Sequence, residues 1–402
     1  MTAQGEILFL VHRIPFPPDR GDKIRSYNML KAMAEIAPVH VGCFADDARD
    51  MSFADEMAEV AASQCVTMRD RSKPVAGMNG LLRGQPMLVA MYEKPELHRW
   101  VRETLATRPI KAIVAYSVQM AHYVPDDLPV STRFMMDFVD FDSAKYAAYG
   151  AEQGGAMGWV NRREGRVLLD FEREVARRAE ISTFVSDAEA QLFARMAGVE
   201  DRNVCALDNG VNLNYFNRQS DFSEIEYKEK PLLVFTGQMD YRPNIEAVES
   251  FVREALPIIR AKYQNATFAI VGRSPSPQVE ALAQQPGVIV TGGVPDVRGW
   301  VAAADVVVAP LRIARGIQNK VLEAMAMARP VVASPQAAEG IDATNGEHFI
   351  VANDPQAEAE AVRALLKNPD QADALGKAAR ARMEERYDWA ATLAPLRDML
   401  FG

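Results

Sequence analysis

Between residues 232 and 333, short apolar runs alternate with stretches of helical periodicity, and that alternation leaves few folds open. The runs are Leu232-Leu233-Val234-Phe235, Thr267-Phe268-Ala269-Ile270-Val271, Val288-Ile289-Val290, Val306-Val307-Val308 and Val331-Val332-Ala333. They are apolar throughout rather than at every second position, as strands covered on both faces are. Helical patterns fall between most of them, at about 246–262, 278–284, 297–303 and 319–328. The alternation predicts an α/β fold with a doubly wound parallel sheet. Glycines follow three of the strands, Gly237, Gly272 and Gly292-Gly293, on the edge where open α/β sheets bind ligands.

The first half reads similarly but less cleanly. Residues 7–11, 39–44, 112–116, 133–136, 181–185 and 204–207 read as strands, with helices from about 26 and over about 52–62, 96–105 and 164–179. At 402 residues the chain is long enough for two domains, each with its own core. Polar residues 219–230 read as the linker between them. The N-terminus lacks the basic region of a signal peptide, and there is no run of about 18 apolar residues, so neither export nor a membrane-spanning helix is expected. Cys43, Cys65 and Cys205 are too far apart for a zinc site or a disulfide frame and read as reduced core residues of a cytoplasmic protein. A net charge of -9 argues against general nucleic-acid binding.

Three stretches carry chemistry. The first is Arg315-Gly316-Ile317-Gln318-Asn319-Lys320-Val321-Leu322-Glu323, between the strand that Pro310 ends and the strand that follows Pro330. Asn319 reads as a helix N-cap, and Gly316 allows a close approach by a ligand. A helix N-terminus favours anions, and Lys320 sits in the first turn with Glu323 three residues on, along the same face. A cation beside a phosphate and a deeper carboxylate suit a nucleoside diphosphate with its ribose; an ordinary surface helix with solvated charges is the alternative. The second stretch follows the first strand: His12-Arg13-Ile14-Pro15-Phe16-Pro17-Pro18-Asp19-Arg20-Gly21-Asp22-Lys23. Gly21 can bring backbone N–H groups against a phosphate, or it can simply make a turn. The third, Asp137 to Lys145, clusters carboxylates after a strand, where they can contact sugar hydroxyls or cap the next helix. Ser186-Asp187-Ala188-Glu189 has the form of a capping box. Between residues 68 and 84, Arg69, Arg71, Lys73 and Arg83 stand beside Met78, Leu81 and Leu82, a composition that fits either a surface loop or contact with an anionic membrane.

The motif Gly316-x-x-x-Lys320-x-x-Glu323-Ala324-Met325-Ala326, followed by Pro330-Val331-Val332-Ala333, resembles the donor-site signature of GT4-type glycosyltransferases of the GT-B fold. Asp208-Asn209-Gly210-Val211-Asn212 and Glu339-Gly340-Ile341 are similar to further turns of that family. The resemblance implies two Rossmann-like doubly wound domains facing a cleft. Residues 1–212 would form the acceptor domain, 213–386 the nucleotide-sugar domain, and 387–402 a helix crossing back to the first. It implies transfer of a sugar from a nucleoside-diphosphate sugar to a hydroxyl, with retention and with neither metal nor cofactor, in bacterial envelope or exopolysaccharide synthesis. The partners would be a nucleotide sugar and a sugar or lipid-linked acceptor, with peripheral contact at the inner membrane and no nucleic acid.

The catalytic residues it implies are Gly21, Asp22, Lys23, Asp140 and Glu323. The donor-binding residues are Gly237, Arg242, Gly272, Arg273, Val294, Arg315, Gly316, Asn319, Lys320 and Glu323. The chain departs from the family in two places. The first of two signature glutamates is replaced by Arg315, and the arginine and lysine expected after Gly237 are replaced by Gln238 and Pro243. Arg315 and Lys320 are then expected to supply the missing phosphate cations. A non-catalytic sugar-nucleotide-binding protein and a nucleotide-sugar 2-epimerase are the alternatives; only five histidines occur and none falls in a donor motif, which disfavours the epimerase.

Overall fold

The computed structural model describes residues 5–69, 80, 84–200, 202–314 and 317–402. The chain divides into two compact units, one of Met1–Asp208 with Leu393–Gly402 and the other of Asn209–Thr392. The boundary falls a few residues before position 212, where the sequence puts it, and the reason is local. Gly210 packs against the Trp389 ring, where a side chain would not fit, and Val211 bridges to Asp388, so residues 209–211 are held by the second unit. The final helix, Leu396–Phe401, belongs to the first unit, where the Arg133 guanidinium donates to the carbonyls of Asp398 and Gly402.

The first unit is built on seven parallel strands: β1 (Glu6–Val11), β2 (Val39–Ala45), β3 (Ser63–Met68), β4 (Ile110–Tyr116), β5 (Arg133–Val139), β6 (Ile181–Phe184) and β7 (Val204–Ala206). Their order is β3-β2-β1-β4-β5-β6-β7. β1 and β2 are almost entirely buried, as their largely apolar sequences require. The second unit has six: β8 (Leu232–Thr236), β9 (Thr267–Val271), β10 (Val288–Gly292), β11 (Val306–Ala309), β12 (Val331–Ala333) and β13 (Ile350–Val351), in the order β10-β9-β8-β11-β12-β13. Both sheets are therefore doubly wound, and the winding reverses at β1/β4 in one and at β8/β11 in the other. Each reversal opens a crevice outside the carboxyl ends of the two strands. The sequence motifs converge on these two places.

Several elements differ from the sequence reading. β3 and the two-residue β13 were left unassigned by the sequence reading; both are only partly buried, so neither has an unbroken apolar run. The helix Asp142–Glu152 was not anticipated, and the helix that follows it, Gly155–Arg178, begins nine residues before the expected start. The helix after β1 is Gly21–Ile36 and not one that starts near 26. Gly21, Asp22 and Lys23 are thus its first turn rather than a loop, and the side chain of Ser26 is already inside, donating to the Asp22 carbonyl at 2.9 Å.

Candidate active site

In the second unit, Gly237 follows β8, and the helix Asn319–Ala326 connects β11 to β12, so both border the β8/β11 crevice. Backbone packs on backbone at the glycine-rich edge. The Gly237 N–H donates to the Val271 carbonyl at 3.0 Å, and the Gly272 N–H to that of Gly292 at 3.2 Å. A Cβ on Gly272 would overlap the Gly237 carbonyl oxygen, and one on Gly237 would lie 2.8 Å from Asn244 Nδ2 and 3.4 Å from Lys320 Nζ. Glycine at 237 leaves the strand end open beside the Lys320 ammonium.

Lys320 donates to Asn244 Oδ1 at 2.6 Å and stands 4.6 Å from the centre of the Phe235 ring. Asn244 in turn donates to the Gln238 carbonyl at 2.9 Å. The uncharged residue that sequence reading passed over is therefore the hinge-pin between Lys320 and the loop after β8. Burial pulls the Lys320 ammonium down to about 7 against the field of Glu323, and burial pushes the Glu323 carboxyl up to about 7 against the field of Lys320. Two groups in one crevice thus both change charge near neutrality, as perturbed groups at ligand sites often do.

The signs give a pH dependence. The folded chain keeps a proton on Glu323 that the unfolded chain releases above its ordinary value of 4.5, so this stabilisation is lost as pH rises from 4.5 towards 7. The unfolded chain keeps a proton on Lys320 that the folded chain gives up, so stability returns as pH rises from about 7 towards 10.5. The pair is expected to produce a stability minimum near pH 7. Unfolding measured across pH should show that dip in the wild type and not in a Lys320→Met/Glu323→Gln variant; a dip that persists in the variant assigns it to other groups.

The remaining donor candidates are less uniform. The N-cap of the Asn319–Ala326 helix is Gln318, with no side-chain cap bond, so Asn319 is the first helical residue and not the cap. Its Oδ1 is buried and has no hydrogen-bond partner among the described residues. Arg242 opens the helix Arg242–Ser250, is exposed, and pairs with Glu246 at 2.6 Å on its own helix. The Arg273 carbonyl accepts from Met239 N at 2.9 Å, and Val294 packs at the margin of the unit's core. Arg315 and Gly316 lie outside the described residues, so of the two expected phosphate cations the structure places Lys320.

In the first unit, the β1/β4 crevice holds a network of charges that engages most of the candidates. The Asp22 carboxylate takes Arg13 at 2.5 Å, Arg20 at 2.7 Å and His12 at 3.3 Å. Burial pushes the Asp22 carboxyl up, but His12, Arg13 and Arg20 outweigh it and hold it well below the usual carboxylate range. Asp22 is a permanent anion that organises two arginines, not a proton acceptor. Lys23 is buried and donates to Asp50 at 2.6 Å and to the Phe16 carbonyl at 3.2 Å, which ties its charge into the fold instead of offering it to a phosphate. Asp140 pairs with Lys145 at 2.7 Å at a partly exposed position, and Asp142 reaches the same ammonium at 3.3 Å.

Asp137 is fully buried against Arg25 at 2.9 Å, a structural pair. Ser186 caps its helix, accepting from Glu189 N at 3.3 Å, while the Glu189 carboxylate accepts from Phe141 N at 2.8 Å instead of reaching back to the cap. Arg69 binds Asp46 at 3.0 Å and lies over the Tyr92 ring, so it is engaged within the unit. The other residues of that basic stretch, Arg71, Lys73, Met78, Leu81, Leu82 and Arg83, lie outside the described residues.

His12, which the sequence reading did not single out, belongs to the same network. It sits at the end of β1, stacked on the Tyr116 ring at the end of β4, with its Nδ1 buried and unpartnered among the described residues. Burial lowers its imidazole below the ordinary value against the upward pull of Asp22. Its place immediately after a central strand was the available signal.

Residues 230–368 match the family described as glycosyl transferases group 1, a span that contains Gly237, Asn244, Lys320 and Glu323. The match is to the second unit alone, while the fold of the whole chain is that of the GT-B structures to which it is similar. A phosphatidyl-myo-inositol mannosyltransferase of Propionibacterium freudenreichii subsp. shermanii is 28% identical over 224 residues, covering 53% of this chain and 54% of the relative. The chain thus spans about half the length of the curated relative it matches.

Among solved structures, Anabaena HepE in complex with UDP and glucose superposes with a TM-score of 0.66 at 15% identity, over 98% of this chain and 99% of the other. WaaG, a glycosyltransferase involved in lipopolysaccharide biosynthesis, gives 0.64 at 16% identity, over 98% and 100%. At such identities the superpositions speak for the fold. The matched span contains the sheet β8–β13, so its crevice is the part of the molecule that both kinds of comparison reach.

Proposed function

We propose that the chain transfers a sugar from a nucleoside-diphosphate sugar to a hydroxyl acceptor, with retention of configuration and without a metal. The observation that carries this reading is the Lys320–Glu323 turn at the head of the Asn319–Ala326 helix, facing the open glycine edge within the group 1 match. A helix N-terminus and an ammonium together favour the diphosphate, and Glu323, one turn deeper, is the acceptor for ribose hydroxyls. As the bond to the sugar breaks, charge develops on the leaving diphosphate, and fixed donors already in place stabilise it. UDP bound by one GT-B structure, and a mannosyltransferase among the sequence relatives, support a nucleotide sugar as donor. Names that refer to phosphatidyl-myo-inositol and to lipopolysaccharide support an envelope acceptor, lipid-linked or polysaccharide.

The test is turnover with a panel of nucleotide sugars and envelope-type acceptors, in EDTA and in magnesium. Release of nucleoside diphosphate at equal rates in both conditions, with the donor's anomeric configuration kept in the product, is the expected result. Activity abolished by EDTA and restored by magnesium would overturn the metal-free account. Inversion in the product would overturn retention.

A further inference from the structure

The loop after β10 is tied down by a side chain that turns back on it. Beyond Gly292 the chain leaves the sheet and runs through Gly293 and Pro295, both exposed, to the short helix Arg298–Ala303. The Arg298 Nε lies 3.0 Å from each oxygen of Asp296, its Nη2 lies 2.5 Å from Oδ2, and its backbone N–H donates to Oδ1 at 2.9 Å. The same guanidinium reaches the segment that opens the second unit. It stands 3.8 Å from the centre of the Tyr215 ring and 5.5 Å from that of Phe222, and it donates to the Tyr215 carbonyl at 3.2 Å. The Tyr215 hydroxyl in turn donates to Asp296 Oδ1 at 3.3 Å. An exposed ion pair holds little. Here, however, Arg298 and Asp296 are only 12% and 17% exposed, the contact is two-pronged, and an aromatic ring lies against it.

This clamp stands at one end of a row of glycines. Outward from the crevice, Gly237 and Gly272 follow β8 and β9, and Gly292 ends β10. At a strand spacing of about 4.8 Å, the bare strand ends run about 10 Å from Gly237, beside the Lys320 ammonium, to Gly292. A Cβ on Gly292 would meet nothing within 4 Å, so that end is open. In the other direction β11 and β12 are followed by Pro310 and by Ser334-Pro335, and the buried Ser334 hydroxyl donates to the Leu311 carbonyl at 2.6 Å. Side chains close that side.

We propose that Tyr215, Asp296 and Arg298 are positioning residues for the base of the donor nucleotide: they touch no ligand, and they hold the loop 293–297 where its main chain meets the base. The inference rests on the nucleotide-sugar reading. With the diphosphate at Lys320, the ribose and base lie along the glycine row and the base reaches the loop. Peptide groups of Gly293 and Val294, outside the sheet, then pair with its edge, and a loop already held in place loses less freedom on binding.

Titration calorimetry with UDP, GDP, ADP and inorganic pyrophosphate is to be compared for the full chain, Arg298→Ala, Tyr215→Ala and Tyr215→Phe. Pyrophosphate reads the Lys320 end alone. The full chain is expected to prefer one base. In both alanine variants that nucleotide is expected to bind about tenfold more weakly, the loss of one or two hydrogen bonds, with the preference among bases reduced and pyrophosphate bound as before. Tyr215→Phe keeps its ring against the guanidinium and should lose much less. An unchanged base preference in either alanine variant overturns the proposal, and so does equal affinity of the full chain for all three nucleotides. An equal loss for pyrophosphate overturns it too, because the clamp would then support the whole unit and not the base. A full chain that binds neither nucleotide nor pyrophosphate sinks the sugar-transfer reading and this inference with it; nucleotide bound with its base preference intact in Arg298→Ala sinks the clamp alone.

Discussion

Lys320→Ala is expected to lose more than tenfold in affinity for a nucleoside diphosphate and to bind the free nucleoside as before. The ammonium is the described cation nearest the open edge at Gly237, 3.4 Å from where a Cβ would stand there. A charge-assisted hydrogen bond contributes about 1.5–3 kcal/mol, and tenfold in affinity corresponds to about 1.4 kcal/mol, so the loss of one such bond suffices. The charge on Lys320 is itself conditional, because burial brings its ammonium down to about 7. A bound diphosphate restores the proton. Titration calorimetry at pH 8 in buffers of different ionisation enthalpy should therefore show proton uptake in the wild type and much less in Lys320→Ala.

Arg242 is the rival cation, but it is exposed and engaged by Glu246 on its own helix, so Arg242→Ala should change diphosphate affinity little. A large loss in Arg242→Ala with normal binding in Lys320→Ala would transfer the role to the loop after β8.

The second large effect concerns the first unit. Asp137→Ala is expected to cost about 3–5 kcal/mol, the usual penalty for leaving a buried charge without its partner. Arg25 and Asp137 are 1% and 0% exposed, with Nε and Oδ2 2.9 Å apart. The same carboxylate accepts from Val139 N at 3.1 Å, and Val139 holds a φ of 69°, a conformation that a β-branched residue adopts only when its surroundings impose it. Removing the carboxylate releases both constraints. An Arg25→Met/Asp137→Leu variant removes the two charges together and should recover much of the loss. Hydrogen exchange over β1, β4 and β5 reads the unit separately from the rest of the chain. Exchange in Asp137→Ala equal to wild type, or a double variant no better than the single one, would contradict this account of the pair.

The sheets were legible because a strand buried on both faces has to be apolar at every position, and residues 7–11 or 306–308 admit few other readings. Two of the four edge strands were not: β3 is only partly buried, so its sequence is mixed, and β13 has two residues. The helix that carries Lys320 and Glu323 was legible because the two are neighbours in sequence as well as on the helix. The pairing of the first-unit candidates was hidden for the opposite reason. Lys23 is neutralised by Asp50, and Asp22 by Arg13 and Arg20; the Lys23 partner lies 27 residues away and no local pattern announces it. Cap positions failed where side chains do not cap: Arg20 and Gln318 precede their helices without a side-chain cap bond, so nothing in the sequence marks the start. Asn244 was passed over because it is uncharged, although its amide links the Lys320 ammonium to the loop after β8.

Thermal unfolding of the wild-type chain with UDP, GDP, ADP and CMP tests the donor crevice most directly. One nucleoside diphosphate at a hundred times its dissociation constant should stabilise the protein by about 2.7 kcal/mol, and the shift should disappear in a folded Glu323→Ala variant at the same concentration. No stabilisation by any of the three diphosphates, or an undiminished shift in Glu323→Ala, would contradict the assignment of Lys320 and Glu323 to a nucleotide-sugar site.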